Sequence, residues 1–301
     1  MTGCEECSNQ FVSIVIPAYS DPEGLRTTLK SAIDQSYNDF EIIVAITPTS
    51  GETLEVAEEF KTKYPDIVHI VKVVETGRAK ARNEGIAETR GDIIAFVDAD
   101  IWLEPNWLKC AVTDLRKNDA EYLACQVKIS LDEGGERFVE RYDQALSIPV
   151  QHYVEDYNFA PTAALLLTRE LIREVDHFDP ELTSGEDREL GNRVYNKGYD
   201  LAVSDCEVYH PPRTTIWEQI QKAIRIGIGM EQLRNRYPDR YSFPSLFSPL
   251  SYAPPSPKRL KSRLTSNSYT TSLIESIGFY LFNYTLKLFQ QFGRWKQFLS
   301  N

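Results

Sequence analysis

Two aspartates separated by one alanine, Asp98-Ala99-Asp100, close the apolar run Ile93-Ile94-Ala95-Phe96-Val97. Carboxylates at the mouth of a buried strand are costly unless a cation or hydrogen-bond donors meet them. Their hard oxygens suit Mn2+ or Mg2+, and such an ion can bridge the oxygens of a diphosphate. The structural alternative has Asp98 capping the next turn with Asp100 solvated, or Asp98 paired with Arg82. A second element is basic: Gly77-Arg78-Ala79-Lys80-Ala81-Arg82-Asn83-Glu84-Gly85 reads as a helix start. Free N–H groups and the helix dipole favour anions there, so Arg78, Lys80 and Arg82 are candidates to lie beside a diphosphate. Otherwise they form a solvated basic face.

A third element is Ser184-Gly185-Glu186-Asp187, ahead of a helical pattern carrying Leu190 and Val194. One reading is a capping box, with Ser184 as N-cap and Asp187 at the third helical position. The other makes Asp187 a general base aimed at an acceptor hydroxyl. A tight cap cannot also be a free base, so if Asp187 caps, Glu186 takes that role. His210, before Pro211-Pro212, is either structural or a neutral imidazole completing the coordination of a metal held by Asp98 and Asp100.

These groups need a scaffold. FVSIVIPA (11–18), EIIVAI (41–46), VHIVKVV (68–74) and DIIAFVDAD (92–100) read as strands. Helical stretches fall between them, the first with Leu25, Leu29, Ala32 and Ile33 on one face. This alternation predicts an α/β fold, a mainly parallel sheet with helices on both faces. Ligands then bind beyond the carboxyl ends of the strands, just after residues 17, 46, 74 and 97. Later expectations are a helix near 105–117, strands near 121–130 and 162–168, helices from about 169 and 183, and a strand near 200–204. Residues 213–301 show two helical stretches around a Pro/Ser-rich segment (242–257).

Taken together, VSIVIPAYS, GRAKARNEG, FVDADIWLEPNWL and FDPELTSGEDRELGNRV, in this order, resemble the inverting glycosyltransferases of family 2, which have the Rossmann-like GT-A fold. The resemblance covers residues 11–212, divided into a nucleotide-sugar half (about 11–100) and an acceptor half (about 101–212). It implies that Pro17, Ala18, Tyr19, Thr47, Arg78, Lys80, Arg82, Asp98, Ala99 and Asp100 bind a nucleoside diphosphate sugar. It implies Asp98 and Asp100 as metal-binding, His210 as an additional ligand, Asp187 as the base and, by family habit, UDP as the nucleotide. One departure stands out. Where the family carries an acidic turn after the second strand, this chain has Ala45-Ile46-Thr47-Pro48-Thr49-Ser50. Base recognition must then use backbone groups or a hydroxyl such as Thr47 or Thr49.

Composition narrows the partners. The net charge of -11 excludes nucleic acid, which needs a concentrated basic face. Lys258 to Asn301 nevertheless holds seven Lys/Arg against Glu275, a net of +6, leaving -17 on residues 1–257. The apolar rows Ile216, Ile220, Ala223, Ile224, Gly227, Ile228 and Leu273, Ile277, Leu281, Tyr284, Leu288 adjoin this basic tail. They predict helices lying on an anionic membrane, with a glycan or lipid-linked acceptor; core packing is the alternative. No run is long enough to span a bilayer, and no secretory leader opens the chain. Five cysteines, an odd and sparse set, argue against a disulfide scaffold and for a reducing compartment, and Cys4-Glu-Glu-Cys7 stands alone. The expected location is therefore cytoplasmic and peripheral to the membrane. A dehydrogenase would need GxGxxG and a nucleotidyltransferase a Gly-rich loop after the first strand; neither is present. A degenerate transferase serving as a membrane scaffold is the non-enzymatic alternative.

Overall fold

A computed structural model describes residues 10–47, 51–131, 137–146, 148–267 and 269–300. Cys4 and Cys7, Thr49 and the polar turn at 132–136 lie outside these residues. The first half alternates as expected: β1 (Val12–Ala18), α1 (Pro22–Ile33), β2 (Phe40–Ile46), α2 (Glu52–Lys63), β3 (Val68–Lys72), α3 (Arg78–Ala87) and β4 (Ile93–Val97). Every residue of β2 and β4 is buried, as a strand covered on both faces requires. Each such Val or Ile contributes about 1.5–3 kcal/mol of burial free energy. Helix α1 starts where Asp21 accepts from the Gly24 N–H and Pro22 sets the first turn.

The second half comprises β5 (Trp102–Leu103), α4 (Trp107–Lys117), β6 (Tyr122–Ile129), α5 (Phe138–Leu146), α6 (Val150–Tyr157), β7 (Ala164–Thr168), α7 (Arg169–Val175), α8 (Glu186–Asn196) and β8 (Ala202–His210). The sheet order is β3-β2-β1-β4-β7-β6-β8-β5. It is parallel from β3 to β4; β7 then runs antiparallel to both β4 and β6, and β5 antiparallel to β8. The sheet is thus mixed, with a parallel half. Strand β8, expected to stop near residue 204, continues through nine residues to His210, alternating half-buried and buried positions. Helices α5 and α6 had no counterpart in the sequence reading.

Cysteine usage misled. Cys110 on α4 and Cys206 on β8 form a disulfide, with Cα atoms 6.1 Å apart across 96 residues of chain. An odd total hid the pair, because Cys125 is free and buried.

Three helices, rather than two, follow: α9 (Ile216–Arg236), α10 (Pro257–Ser266) and α11 (Leu273–Ser300). Thr215 and Glu218 close a capping box at the start of α9. Helices α9 and α11 cross where glycines let backbones touch: a Cβ on Gly227 would stand 2.0 Å from Gln290 O, and one on Gly293 2.1 Å from Ile224 O. The α9 row is therefore partly packed, with Ala223 and Gly227 buried, Ile220, Ile224 and Ile228 half-buried, and Ile216 exposed. The α11 row differs: Leu273, Ile277, Leu281 and Leu288 are exposed and Tyr284 is half-buried, while neighbouring Ile274 is 84% exposed. Among the described residues no helix is long and apolar enough to cross a membrane.

Candidate active site

Parallel register places Ala18, Ile46 and Lys72 abreast, with the end of β4 beside β1. Tyr19, Thr47 and Asp98 therefore follow strand ends on one edge of the sheet. Tyr19 is 62% exposed there, Pro17 half-buried, and Ala18 and Thr47 buried. The edge is lined by the residues expected to meet a nucleotide sugar.

The basic residues of α3 divide into distinct roles. Arg82 is 2% exposed and bridges two carboxylates, donating through Nη2 to Asp98 Oδ1 at 3.0 Å and through Nη1 to Glu186 Oε1 at 2.9 Å. Held this way, Arg82 makes the pairing with Asp98 that the sequence offered as the alternative to a place beside a diphosphate. Lys80 is ion-paired with Glu75. Arg78 is exposed, yet its charge reaches Asp98 and Arg225. Burial works against ionisation of Asp98, but the Arg82, Arg78 and His210 charges outweigh it and hold the carboxyl below the usual aspartate value.

Asp100 meets His210 through strand pairing. Strand β5 begins two residues after Asp100, and its Trp102 pairs with Tyr209 of β8. His210 Nε2 lies 3.2 Å from Asp100 Oδ2, while Nδ1 faces the Pro211 carbonyl. A carbonyl only accepts, so Nδ1 donates to it and Nε2 is the nitrogen turned toward the carboxylate oxygen. That contact is favourable only with a proton or a cation between the two atoms. Burial and the nearby Asp98 and Asp21 charges raise the Asp100 pKa, with His210 opposing. Asp100 and His210 meet two residues beyond Asp98, and carboxylate and imidazole are ligand types that suit a divalent ion. Among the described residues the three do not close into one tight ligand cluster. Cys110, Asp114 and Cys206 do cluster, but the disulfide leaves no thiolate there to ligate.

At α8 the capping box is not formed. Gly185, at φ +87°, is the N-cap, with no side-chain cap bond. Asp187 instead accepts from its neighbour's Arg188 N–H at 2.7 Å. Glu186 is buried and engaged by Arg82, which leaves Asp187, half-buried, as the carboxyl able to meet a substrate. Burial and the Glu186 charge push Asp187 up to about 7, against the Arg188 N–H and the Arg82 and Arg225 charges. A carboxyl poised near neutrality is what a general base requires.

Several site residues escaped the sequence reading. Asp21 and Arg213 both act electrostatically on Asp100. Arg225 on α9 senses Arg78, Glu186 and Asp187, and burial with the Arg78 charge lowers it to about 10. Its helix is seated on the base segment: a Cβ on Gly229 would lie 2.1 Å from Ser184 O, and Leu233 fills the space beside Gly185. Gln232 further binds Thr183, accepting from its N–H at 2.8 Å. The capping signal at Thr215 marked the helix start, but nothing local marked its contact with residue 184.

Comparison with known proteins adds the following. Residues 13–172 match the family described as Glycosyl transferase family 2. Glycosyltransferase AglE of Haloferax volcanii is 27% identical over 225 residues, covering 74% of each chain. The pre-mycofactocin glycosyltransferase of Mycobacterium tuberculosis is 28% identical over 242 residues, covering 77% of this chain and 49% of its own length. Among solved structures, the mannosyltransferase PcManGT from Pyrobaculum calidifontis, in complex with GDP-Man and Mn2+, superimposes with a TM-score of 0.66 at 17% identity. That match covers 98% of this chain and 89% of the other. Staphylococcus aureus TarS in complex with UDP-GlcNAc gives 0.55 at 19% identity, covering 77% and 73%. At these identities the structural likeness is one of fold, the expected GT-A architecture.

Proposed function

The chain belongs to glycosyl transferase family 2, and from that premise we propose that it is an inverting, metal-dependent enzyme moving a sugar from a nucleoside diphosphate, UDP by preference, to an acceptor hydroxyl. The observation that carries the reading is the contact of Asp100 with His210 at 3.2 Å, two residues beyond Asp98 at the end of β4. Asp98, Asp100 and His210 would hold Mn2+ or Mg2+, which when bound supplies Lewis-acid neutralisation of the diphosphate leaving group. GDP-Man with Mn2+ in one structural neighbour and UDP-GlcNAc in another support a nucleotide-sugar donor.

The chain's own groups divide the remaining work. Tyr19 and Thr47 border the nucleotide side, Thr47 offering a hydroxyl in place of the acidic turn. Arg78 and Arg225 bring positive charge to the anionic end of the donor. Asp187 takes the proton of the acceptor hydroxyl, its basicity raised by burial and by Glu186. Arg82, locked between Asp98 and Glu186, fixes the spacing of the metal-side and base-side segments. Displacement by a hydroxyl on the face opposite the leaving group inverts the anomeric centre.

In this reading residues 11–212 carry the transferase machinery, and 213–301 completes the acceptor side and meets a membrane. Support for membrane contact comes from the exposed α11 row, together with Phe247 and Leu250, also exposed, and exposed Lys258, Arg259 and Lys261 on α10. A cytoplasmic face is proposed on the charge of the tail alone; the Cys110–Cys206 disulfide, exposed at Cys110, stands against a reducing compartment.

The test is calorimetric titration of UDP and GDP, with and without Mn2+, on the wild type and Asp100→Ala. Metal-dependent binding of one nucleotide, lost in the variant, is expected. Absence of nucleotide binding under any metal would overturn the reading in favour of a membrane-bound scaffold.

A further inference from the structure

A cavity of about 580 Å3 lies between α5, α6 and the three C-terminal helices. Its charged lining is one-sided. Lys222, Arg259, Arg263 and Lys287 border it, along with Arg294, which is already engaged by Glu231. Asp143 is the one acid in the lining, and it is committed to Arg213, accepting from the backbone N–H at 3.0 Å and from Nη1 at 3.1 Å. Among the described residues Lys222 Nζ has no carboxylate within ion-pairing distance and no hydrogen-bond acceptor, and the Arg259 side chain likewise makes no ion pair.

Crowding of these cations shows in their titration. Burial, with the Arg213, Arg225 and Arg263 charges, lowers Lys222 to about 7 against the pull of Asp143. Burial and the Arg259 charge lower Lys287. Like charges gathered around one cavity, with half-buried Lys222 and exposed Arg259 both lacking a carboxylate partner, are unfavourable, and a bound anion would relieve them. The remaining lining mixes apolar side chains, including Ile226, Met230, Leu250 and Leu286, with polar ones such as Gln219, Asn283 and Gln290. Leu250 is itself 72% exposed, which puts an apolar rim at the mouth.

The cavity wall also interacts electrostatically with Asp187, through Tyr153. Lys222 stands three residues before Arg225 on α9, so the two share a helix face; Arg225 responds to Glu186 and Asp187.

From this arrangement we infer that the cavity receives a phosphate-type anionic group of the acceptor, with Lys222 and Arg259 as its counter-ions and the apolar side chains of the lining against the portion next to that anion. This inference rests on the transferase reading, since it takes Asp187 as the point where the acceptor hydroxyl arrives. It adds the acceptor's charge and where that charge sits. Either a lipid-linked phosphate or a soluble phosphorylated glycan would present this chemistry.

Decyl phosphate, decanol and inorganic phosphate serve as probes on the full chain, without metal. Binding is read by calorimetry and by trace acetylation of Lys222 followed by mass spectrometry. Decyl phosphate should bind and shield Lys222 from acetylation, with affinity falling about tenfold in Lys222→Gln and again in Arg259→Gln, the loss of one charge-assisted hydrogen bond each. Inorganic phosphate binding as tightly as decyl phosphate assigns the site to a soluble anion, whereas a clear preference for decyl phosphate assigns it to a lipid-linked one. If decanol binds as well as decyl phosphate, or neither substitution weakens the phosphate probes, the inference is wrong. Mn2+-dependent nucleotide binding, measured in parallel on Lys222→Gln, keeps the two questions apart. Its persistence beside a silent cavity removes only the acceptor site, and its absence from the wild type removes the transferase reading itself.

Discussion

Substituting Gly229 by alanine tests whether the C-terminal helices belong to the catalytic machinery. The new Cβ would stand 2.1 Å from Ser184 O and 2.7 Å from Ser184 C, both backbone atoms. Carbon–oxygen contacts of this kind settle near roughly 3.3 Å or beyond, so the two segments must part by about 1 Å. Ser184 lies three residues before Asp187, and a shift of about 1 Å in a catalytic group costs on the order of 100-fold in rate. Overpacking should also lower stability by about 1–3 kcal/mol, or a melting temperature by about 2–4 °C per kcal/mol. Gly227→Ala is the matched control, because its Cβ meets Gln290 O at 2.0 Å, on α11 and away from the base. Turnover is followed as nucleoside diphosphate released from the donor, well below both melting temperatures. We expect Gly229→Ala to lose about 100-fold in kcat with KM for the donor nearly unchanged, and Gly227→Ala to lose stability with kcat within a few-fold. Equal losses of kcat in the two variants, or full activity in a folded Gly229→Ala, would refute the argument that α9 sets the position of the base.

Three further outcomes follow from the site. With Asp187 raised to about 7, kcat/KM should climb as pH rises through 7, and Glu186→Gln, by removing the charge next to it, should move that limb to lower pH; an unmoved limb assigns it to another group. The same carboxyl binds its proton more tightly folded than unfolded, so its contribution to stability is full below the unfolded value and declines as pH rises toward 7; Asp187→Asn should therefore melt higher than wild type at pH 8, as calorimetry would show. Arg82→Met leaves Asp98 and Glu186 without their shared cation and should cost about 3–5 kcal/mol in denaturant unfolding, a loss under about 1 kcal/mol contradicting the bridging role.

The parallel half of the sheet was legible because β1, β2 and β4 are short, nearly all-apolar runs closed by Pro, Thr or Asp, and such runs have few other fates. Asp98, Asp100 and Asp187 were legible for a related reason: each is an acid placed at an element boundary, where local pattern points to it. What escaped depends on contacts distant in sequence. Arg82 looked like a phosphate ligand because its helix position is basic, and only the approach of Glu186 from 104 residues away makes it a bridge. Strand β8 alternates half-buried and buried residues instead of forming one apolar block, so its signal faded before His210. The cysteine pair was obscured by parity, and the α9 row by an ambiguity periodicity cannot resolve. A helix that packs on another helix and one that lies on lipid carry the same stripe; glycines meeting carbonyl oxygens at Gly227 and Gly293 distinguish them here.

Those same glycines bear on how this enzyme can be re-engineered. A tail lying loosely on its catalytic domain could be exchanged with that of a relative as an interchangeable part, to import a new acceptor preference. Here α9 is keyed at Gly229 to the backbone of Ser184 and, two residues earlier, at Gly227 to α11. A chimera joined near residue 212 would replace the helix seated on Ser184, three residues before the proposed base Asp187. Grafts should therefore carry their own 179–187 segment with the incoming helix, so that donor and acceptor specificities are recombined along this contact, not along the chain.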